Sequence, residues 1–465
     1  MKRFDAIIVG AGQAGPSLAG RLTAAGMTVA LIERKLVGGT CVNTGCTPTK
    51  TLVASARAAH VARRAAEYGV VVGGPVSVDM PRIKARADAV VAGSRDSLRA
   101  WLAGMDRCTL VEGHARLEPD GAVRVGDELL GAPRIFLNVG GRARIPSLPG
   151  LDQVRYLTNT SMVALDTLPR HLVVVGGSYV GLEFAQMYRR FGSEVTVVEK
   201  GPRLISREDE DVSEAVKGIL EREGITVRCG AECISLDHSD HGVTVRLDCE
   251  TGDRSATGSH VLIAVGRQPN TEDLGLDRAG VAVDARGYIV VDDQLRTRVD
   301  GIWALGDCNG RGAFTHTAYN DFEIVAANLL DRDPRRVSDR FDAYALYIDP
   351  PLGRVGLTER EARRTGRPLL IGSRPMSRVS RAIEKGETEG FMKILVDAET
   401  GKIVGAAILG TDGDEAIHGI LDVMSAGAPA KALRRSVPIH PTVSELIPTV
   451  LGELVPIEAG SAHAR

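Results

Sequence analysis

DAIIVGAGQAGPSLAGRLTAAGMTVALIE, residues Asp5 to Glu33, aligns without a gap on HLVVVGGSYVGLEFAQMYRRFGSEVTVVE, residues His171 to Glu199, at a constant offset of 166 residues. Gly10 falls on Gly176, Gly15 on Gly181, Ala19 on Ala185, Gly26 on Gly192 and Glu33 on Glu199. Each copy reads as a buried strand, a glycine turn, a helix, a glycine stop and a second strand ending in a carboxylate. Glycines let the backbone turn tightly and approach a pyrophosphate, which then sits on the unpaired N–H groups of the helix N-terminus. The terminal glutamate can accept hydrogen bonds from ribose hydroxyls. Strand, helix and acid in that order, found twice, predict two dinucleotide-binding βαβ units, although Ser178 stands where the second copy would carry its middle glycine.

The rest of the composition narrows the class. The chain has 465 residues, enough for two to four domains. Apolar residues make up 44% and charged residues 25%, which predicts folded cores rather than disorder. The formal charge of -2 offers no electrostatic reason for a nucleic-acid or anionic-membrane partner. No apolar run is long enough to span a bilayer and no export signal is visible, so the expected location is cytoplasmic and the expected partner a small molecule. Seven cysteines are too few for a secreted disulfide framework, and a close pair among them reads as metal-binding or redox-active.

Turn-rich seams at 138–150 and 265–270 bracket the second unit, and the charged stretch 331–342 reads as a linker to a third region of alternating strands and helices. The acidic run Ser206 to Asp211 reads as a helix start, with Ser206 as cap and the rest a solvated first turn. The arginine pairs at 63–64, 189–190 and 434–435 read as solvated faces.

Between the first unit and a following helix lies Gly38-Gly39-Thr40-Cys41-Val42-Asn43-Thr44-Gly45-Cys46-Thr47-Pro48-Thr49-Lys50. CxxxxC is not a zinc-knuckle spacing and no second Cys/His cluster follows in reach, so no metal ligand is assigned. A helix beginning near the pair and the cation Lys50 would both favour thiolate. The string resembles the redox motif of class I pyridine nucleotide-disulfide oxidoreductases, the family of glutathione reductase, dihydrolipoyl dehydrogenase and mercuric reductase. The resemblance extends to Gly306-Asp307, to Asp349-Pro350-Pro351 with Val355-Gly356, and to His440-Pro441-Thr442-Val443-Ser444-Glu445.

That resemblance implies an α/β fold with two Rossmann-like domains, for FAD and NAD(P), and a C-terminal α+β dimerisation domain. The expected boundaries are 1–145 and 269–335 for the two parts of the FAD domain, 146–268 for the NAD(P) domain and 336–465 for dimerisation. It implies a Cys41–Cys46 disulfide in which Cys46 lies against the flavin and Cys41 attacks substrate. Lys50 would pair with Glu183 near the flavin, Tyr179 would cover the nicotinamide pocket, and His440 with Glu445 would form an acid/base dyad. Gly10, Gly12, Gly15, Glu33, Gly113 and Asp307 would hold FAD, while Gly176, Gly181, Glu199 and Gly266 would hold the nicotinamide nucleotide. Cys108, Cys229, Cys233, Cys249 and Cys308 have no matching role, and His316 and Tyr319 are placed near the flavin.

The expected activity is an oxidoreductase of the EC 1.8.1 or 1.16.1 type. It would pass electrons between NAD(P)H and a thiol, disulfide or related acceptor, with a homodimer sharing its active sites. Glu199 would repel a 2′-phosphate and so favour NADH, with Lys200 and Arg203 nearby keeping NADPH open. The motif variant is most like the mercuric-reductase-like branch, but no cysteine follows Cys308 to hand Hg(II) inward. Dihydrolipoyl dehydrogenase is the alternative enzyme, and a silent flavin-binding sensor or scaffold the alternative of another class.

Overall fold

The structure is a computed structural model that describes residues 1–119, 121–240, 242–248 and 254–457, apart from the side chains of Cys233 and Asp248. The first glycine-turn unit is β1 (Ala6–Val9), α1 (Ala14–Ala24) and β2 (Val29–Glu33). All four residues of β1 are buried, as in a parallel strand covered on both faces. Helices α2 (Gly39–Thr44), α3 (Cys46–Arg63) and α4 (Met80–Ala103) precede β3 (Cys108–Glu112) and β4 (Ile135–Leu137). The five parallel strands run in the order Ile302–Ala304, β4, β1, β2, β3. β1 therefore has a neighbour on each side, and the glycine turn leaves it at the switch point where such sheets bind ligands.

The second unit repeats this plan with β5 (His171–Val175), α5 (Tyr179–Phe191), β6 (Glu194–Val198), α6 (Glu210–Arg222), β7 (Thr226–Arg228) and β8 (His260–Ile263). Its parallel order is β7, β6, β5, β8, with β5 in the place of β1. α5 is buried along most of its length and packs with Leu52 and Ala56 of α3 in one apolar cluster. That packing sets the second unit against the helix that starts at Cys46.

After α7 (Thr315–Ala326), the chain forms a six-stranded antiparallel sheet from β9 (Ala343–Leu346), β10 (Leu352–Gly356), β11 (Leu369–Pro375), β12 (Phe391–Asp397), β13 (Ile403–Leu409) and β14 (Val455–Pro456). Its order is β9, β10, β13, β12, β11, β14. The architecture is the expected one: two Rossmann-like units and a C-terminal α+β unit. Among the described residues, no helix is long and apolar enough to cross a membrane.

Two readings of charged sequence are corrected. Ser206 does not cap a helix: α6 begins at Glu210 with Asp209 at its cap position, and Glu208 and Asp209 are buried rather than solvated. Burial works to raise the Asp209 carboxyl, but Lys393 and the amides of Glu359 and Arg360 outweigh it and hold the group below the ordinary range. Arg190 is not on a solvated face either. It is buried, donates to Glu223 Oε1 at 2.6 Å and pairs with Asp349, which also takes Arg57 of α3. Asp349 thus receives one guanidinium from each Rossmann-like unit while standing just before the C-terminal sheet's second strand.

Candidate active site

A cleft of about 920 Å³ runs from the first glycine turn to the two thiols and on to Asp307. That is near the upper end of ordinary ligand sites, as an extended dinucleotide needs. Gly10, Gly12, Glu33 and Gly113 line it together with Cys41, Cys46, Lys50 and Glu183. Gly10 has φ +108°, and a Cβ there would lie 2.2 Å from the carbonyl oxygen of Asn138. Gly176 has φ +116°, and its Cβ would lie 2.4 Å from the Ala264 carbonyl, so both turns require glycine for the same reason. Gly15 and Gly181 lie in the first turns of α1 and α5.

The two terminal acids do equivalent work. Glu33 accepts the amide N–H groups of Ala11 at 2.9 Å and Lys35 at 2.8 Å. Glu199 accepts those of Gly177 and Gly201, both at 2.6 Å. Each carboxylate closes its own glycine turn and keeps lone pairs for a ribose diol. Gly176, Gly181, Glu199 and Gly266 lie outside the cleft lining, in the second unit, where Ala264 and Gly266 follow β8 past the Gly176 turn. Ser178, at the position of the missing middle glycine, has extended backbone at the start of α5.

Cys41 lies in α2 and Cys46 begins α3, and both are free thiols. The two thiols shift each other in opposite directions. The hydrogen bond from Cys41 pulls Cys46 down to about 6, helped by Thr315 and Lys50 against burial and Glu183. Cys41 is pushed far up by the same bond, by burial and by the neighbouring Cys46 charge. Cys46 is therefore the thiolate at neutral pH and Cys41 the thiol. Thr315 Oγ1 lies 3.2 Å from Cys46 Sγ.

Lys50, one turn on from Cys46, bonds Glu183 Oε2 at 2.7 Å and stands 4.5 Å above the ring of Tyr347. The Tyr347 amide donates to Glu183 Oε1 at 3.1 Å, so all three units of the fold hold this cation. Tyr179 opens α5, lines the cleft and stands edge-on to Phe314 and Tyr344, with centroids 6.5 and 5.5 Å away. At the far end, burial raises the Asp307 carboxyl and Arg267 at 3.4 Å opposes that. His316 and Tyr319 also line the cleft. Oxygen acceptors at Glu33 and Asp307, a turn that only glycine permits and a cleft passing the thiols together fit an FAD.

His440 Nδ1 and Glu445 Oε2 are 2.8 Å apart, but the imidazole is 74% exposed and lies outside the cleft. A single chain does not bring the dyad to the thiols. Thr315, Tyr347 and Arg267 went unnoticed in the sequence, where only the neighbouring His316 carried a signal. Cys108 and Cys229 are half-buried, Cys308 is buried and pushed up to about 12 by that burial, and the Cys233 side chain and Cys249 lie outside the described residues.

Comparison with known proteins agrees with this geometry. The model of the pyridine nucleotide-disulphide oxidoreductase family matches residues 4–321, and that of the family's dimerisation domain matches residues 343–451. The chain is 35% identical to the probable pyridine nucleotide-disulfide oxidoreductase RclA of Escherichia coli over 453 residues, 96% of this chain and 98% of that one. It is 34% identical to a dihydrolipoyl dehydrogenase of Chlorobaculum tepidum, covering 96% of each chain. To a mercuric reductase of Streptomyces lividans it is 32% identical, covering 96% of this chain and 94% of the other. Among solved structures, a Cu(II) complex of the HOCl-induced flavoprotein disulfide reductase RclA superposes with a TM-score of 0.88 at 34% identity, covering 97% of this chain and 99% of the other.

Proposed function

The chain belongs to the pyridine nucleotide-disulphide oxidoreductase family, and from that membership we propose that it reduces a small thiophilic acceptor with NADH through a Cys41–Cys46 disulfide. It is an FAD-dependent enzyme that uses NAD(P)H. When bound, the flavin supplies two-electron transfer between nicotinamide and sulfur. The observation that carries the proposal is the placing of Cys41 and Cys46 in one cleft lining with Lys50 and Glu183, whose ion pair spans 2.7 Å.

Each residue then has a task. Cys46, ionised at neutral pH, is read as the cofactor-side sulfur, and Cys41 is left to attack a disulfide acceptor, breaking its S–S bond to release one thiol and form a mixed disulfide; Cys46 then attacks Cys41, releasing the second thiol and re-forming the Cys41–Cys46 disulfide. With a disulfide acceptor, two electrons and one proton enter as NADH is oxidised to NAD+, a second proton comes from solvent, and both leave on the two product thiols; with a metal ion the two electrons go to one Hg(II) or to two Cu(II), and the proton from NADH is released to solvent. Lys50 holds positive charge beside the thiolate and is fixed by Glu183 and Tyr347. Tyr179 follows the second glycine turn and lines the cleft with the thiols and Lys50, which supports reading it as the ring that a nicotinamide displaces. His440, oriented by Glu445, would manage the Cys41 proton from a second subunit.

The acceptor class is a low-molecular-weight disulfide or a soft metal ion as substrate. The mercuric-reductase-like branch is supported by the motif variant, and the Cu(II) complex of the E. coli relative adds Cu(II) to the candidates. A panel of Hg(II), Cu(II), glutathione disulfide, lipoamide and a quinone with NADH or NADPH, together with NAD+ and dihydrolipoamide, tests this reading. We expect turnover with a disulfide or metal ion that is lost in Cys41→Ser. A panel in which dihydrolipoamide oxidation dominates would replace the reading with dihydrolipoyl dehydrogenase, and a silent one with the scaffold.

Nucleotide preference gives a second prediction. Glu199 both accepts from a ribose diol and repels a phosphate, and Arg203 is turned 3.8 Å from Glu210 rather than left free. Glu199→Ala is expected to erode the preference for NADH by about 1 to 3 kcal/mol, roughly tenfold to a hundredfold in the ratio of kcat/KM values. Wild-type enzyme that already uses NADPH better would show that Arg203 or Lys200 dominates.

A further inference from the structure

Behind the Tyr179 ring lies a buried charged cluster that touches neither thiol. Glu208 is wholly buried, and its Oε1 accepts the hydroxyls of Tyr179 at 3.0 Å and Tyr344 at 2.6 Å. Its Oε2 is buried with no hydrogen-bond partner. Facing it is Arg354 of β10, 1% exposed, with Nε 3.7 Å from Glu208 Oε2 and Nη2 3.6 Å from Asp209 Oδ2. All three guanidinium nitrogens likewise lack a hydrogen-bond partner. Buried charges normally close to hydrogen-bond distance, and the 3.7 Å gap is about 0.8 Å too long for that. The two phenols hold the carboxylate back from its natural partner. A small movement of Glu208 would let it meet Arg354 as it releases Tyr179.

We propose that Glu208 is a two-position latch for Tyr179, bonded to the phenol while the nicotinamide pocket is covered and passing to Arg354 when the ring swings aside. The proposal rests on the reading of Tyr179 as the residue that a nicotinamide ring displaces. Glu208 and Arg354 are then positioning residues. Because Arg354 belongs to the C-terminal sheet, nucleotide entry at the second Rossmann-like unit is tuned from the region that matches the dimerisation domain.

The latch makes predictions of opposite sign. Tyr179→Phe keeps the ring and removes the bond, so the covered state loses its hold and a larger fraction of the protein is open to nucleotide. Arg354→Met removes the second position of the carboxylate and should keep the pocket covered. With the FAD-loaded, oxidised protein and NAD+ or NADP+ as probe, calorimetry should give a Kd about tenfold tighter for Tyr179→Phe and about tenfold weaker for Arg354→Met. For the latter, KM for NADH should rise while kcat at saturation stays within about twofold. Arg354→Lys, which keeps the charge but not the guanidinium fork, should weaken binding by a smaller factor and decides the matter with Tyr179→Phe if Arg354→Met does not fold. Tyr179→Phe binding no more tightly than wild type, or Arg354→Met shifting the Kd in the same direction as Tyr179→Phe, would overturn the latch alone. A wild type that binds neither nucleotide would overturn the proposed function and the latch with it.

Discussion

Replacing Cys46 by serine is expected to lower NADH-dependent turnover by about a thousandfold or more and to remove the long-wavelength absorbance of a thiolate lying beside the flavin. Replacing Cys41 by alanine should cost as much turnover and keep that absorbance, but only at a pH high enough to ionise Cys46 without its neighbour. The thiolate sits on Cys46 because Cys41 donates to it, so Cys46 is held at about 6 while Cys41 is pushed up. A lowered value means the ionised form persists down to about pH 6, and in the reduced protein the band should grow in between about pH 5 and pH 7. Cys41→Ala deletes the largest lowering influence on Cys46, so the midpoint should move upward, toward an ordinary thiol. Absorbance followed against pH in the two variants checks both statements. A band that survives in Cys46→Ser and is absent from Cys41→Ala even at alkaline pH would reverse the assignment.

Mixed dimers are expected to recover activity that neither parent shows. His440 and Glu445 form a bonded pair that a single chain leaves largely in solvent, away from the cleft that holds Cys41. A symmetric dimer would place the dyad of each subunit at the thiols of the other. When a Cys41→Ser chain is co-expressed with a His440→Ala chain, one site of the heterodimer collects both lesions and the other none. Tagged heterodimers should therefore regain up to about half of wild-type turnover, starting from parents reduced by a hundredfold or more. If the dyad served the thiols of its own chain, every site would keep one lesion, and a purified heterodimer as inactive as its parents would show that.

Both parallel sheets were legible from the repeat alone, because strands buried on two faces and turns that tolerate only glycine leave a local signature. The two glutamates that end the copies also turned out alike, each tying down its own turn. Where partners lie far apart in sequence, local pattern says nothing. Lys50 and Glu183 were paired only through the family resemblance, and Thr315 at Cys46 and Tyr347 under Lys50 had no signal at all. The run from Ser206 to Asp211 was misread for the same reason. A string of charges is ordinarily solvated, but here Arg354 and Lys393, carried in by the C-terminal sheet, neutralise Glu208 and Asp209 inside the protein. Arg190 was misread likewise, since Glu223 and Asp349 meet it only in the folded chain.

The node at Asp349 bears on how the protein can be taken apart. Its seams rich in glycine and proline look like places to cut, and each Rossmann-like unit has a sheet of its own. Yet Arg57 from one unit and Arg190 from the other end on the same carboxylate, and Gln186 donates to the Asp349 carbonyl at 2.8 Å. An excised nucleotide-binding fragment would keep Glu223 but lose Asp349 as a partner for Arg190, and would expose the surface that this carboxylate now joins. The three regions are modules by ancestry but not by manufacture, and fragments trimmed at the seams are poor substitutes for the whole chain.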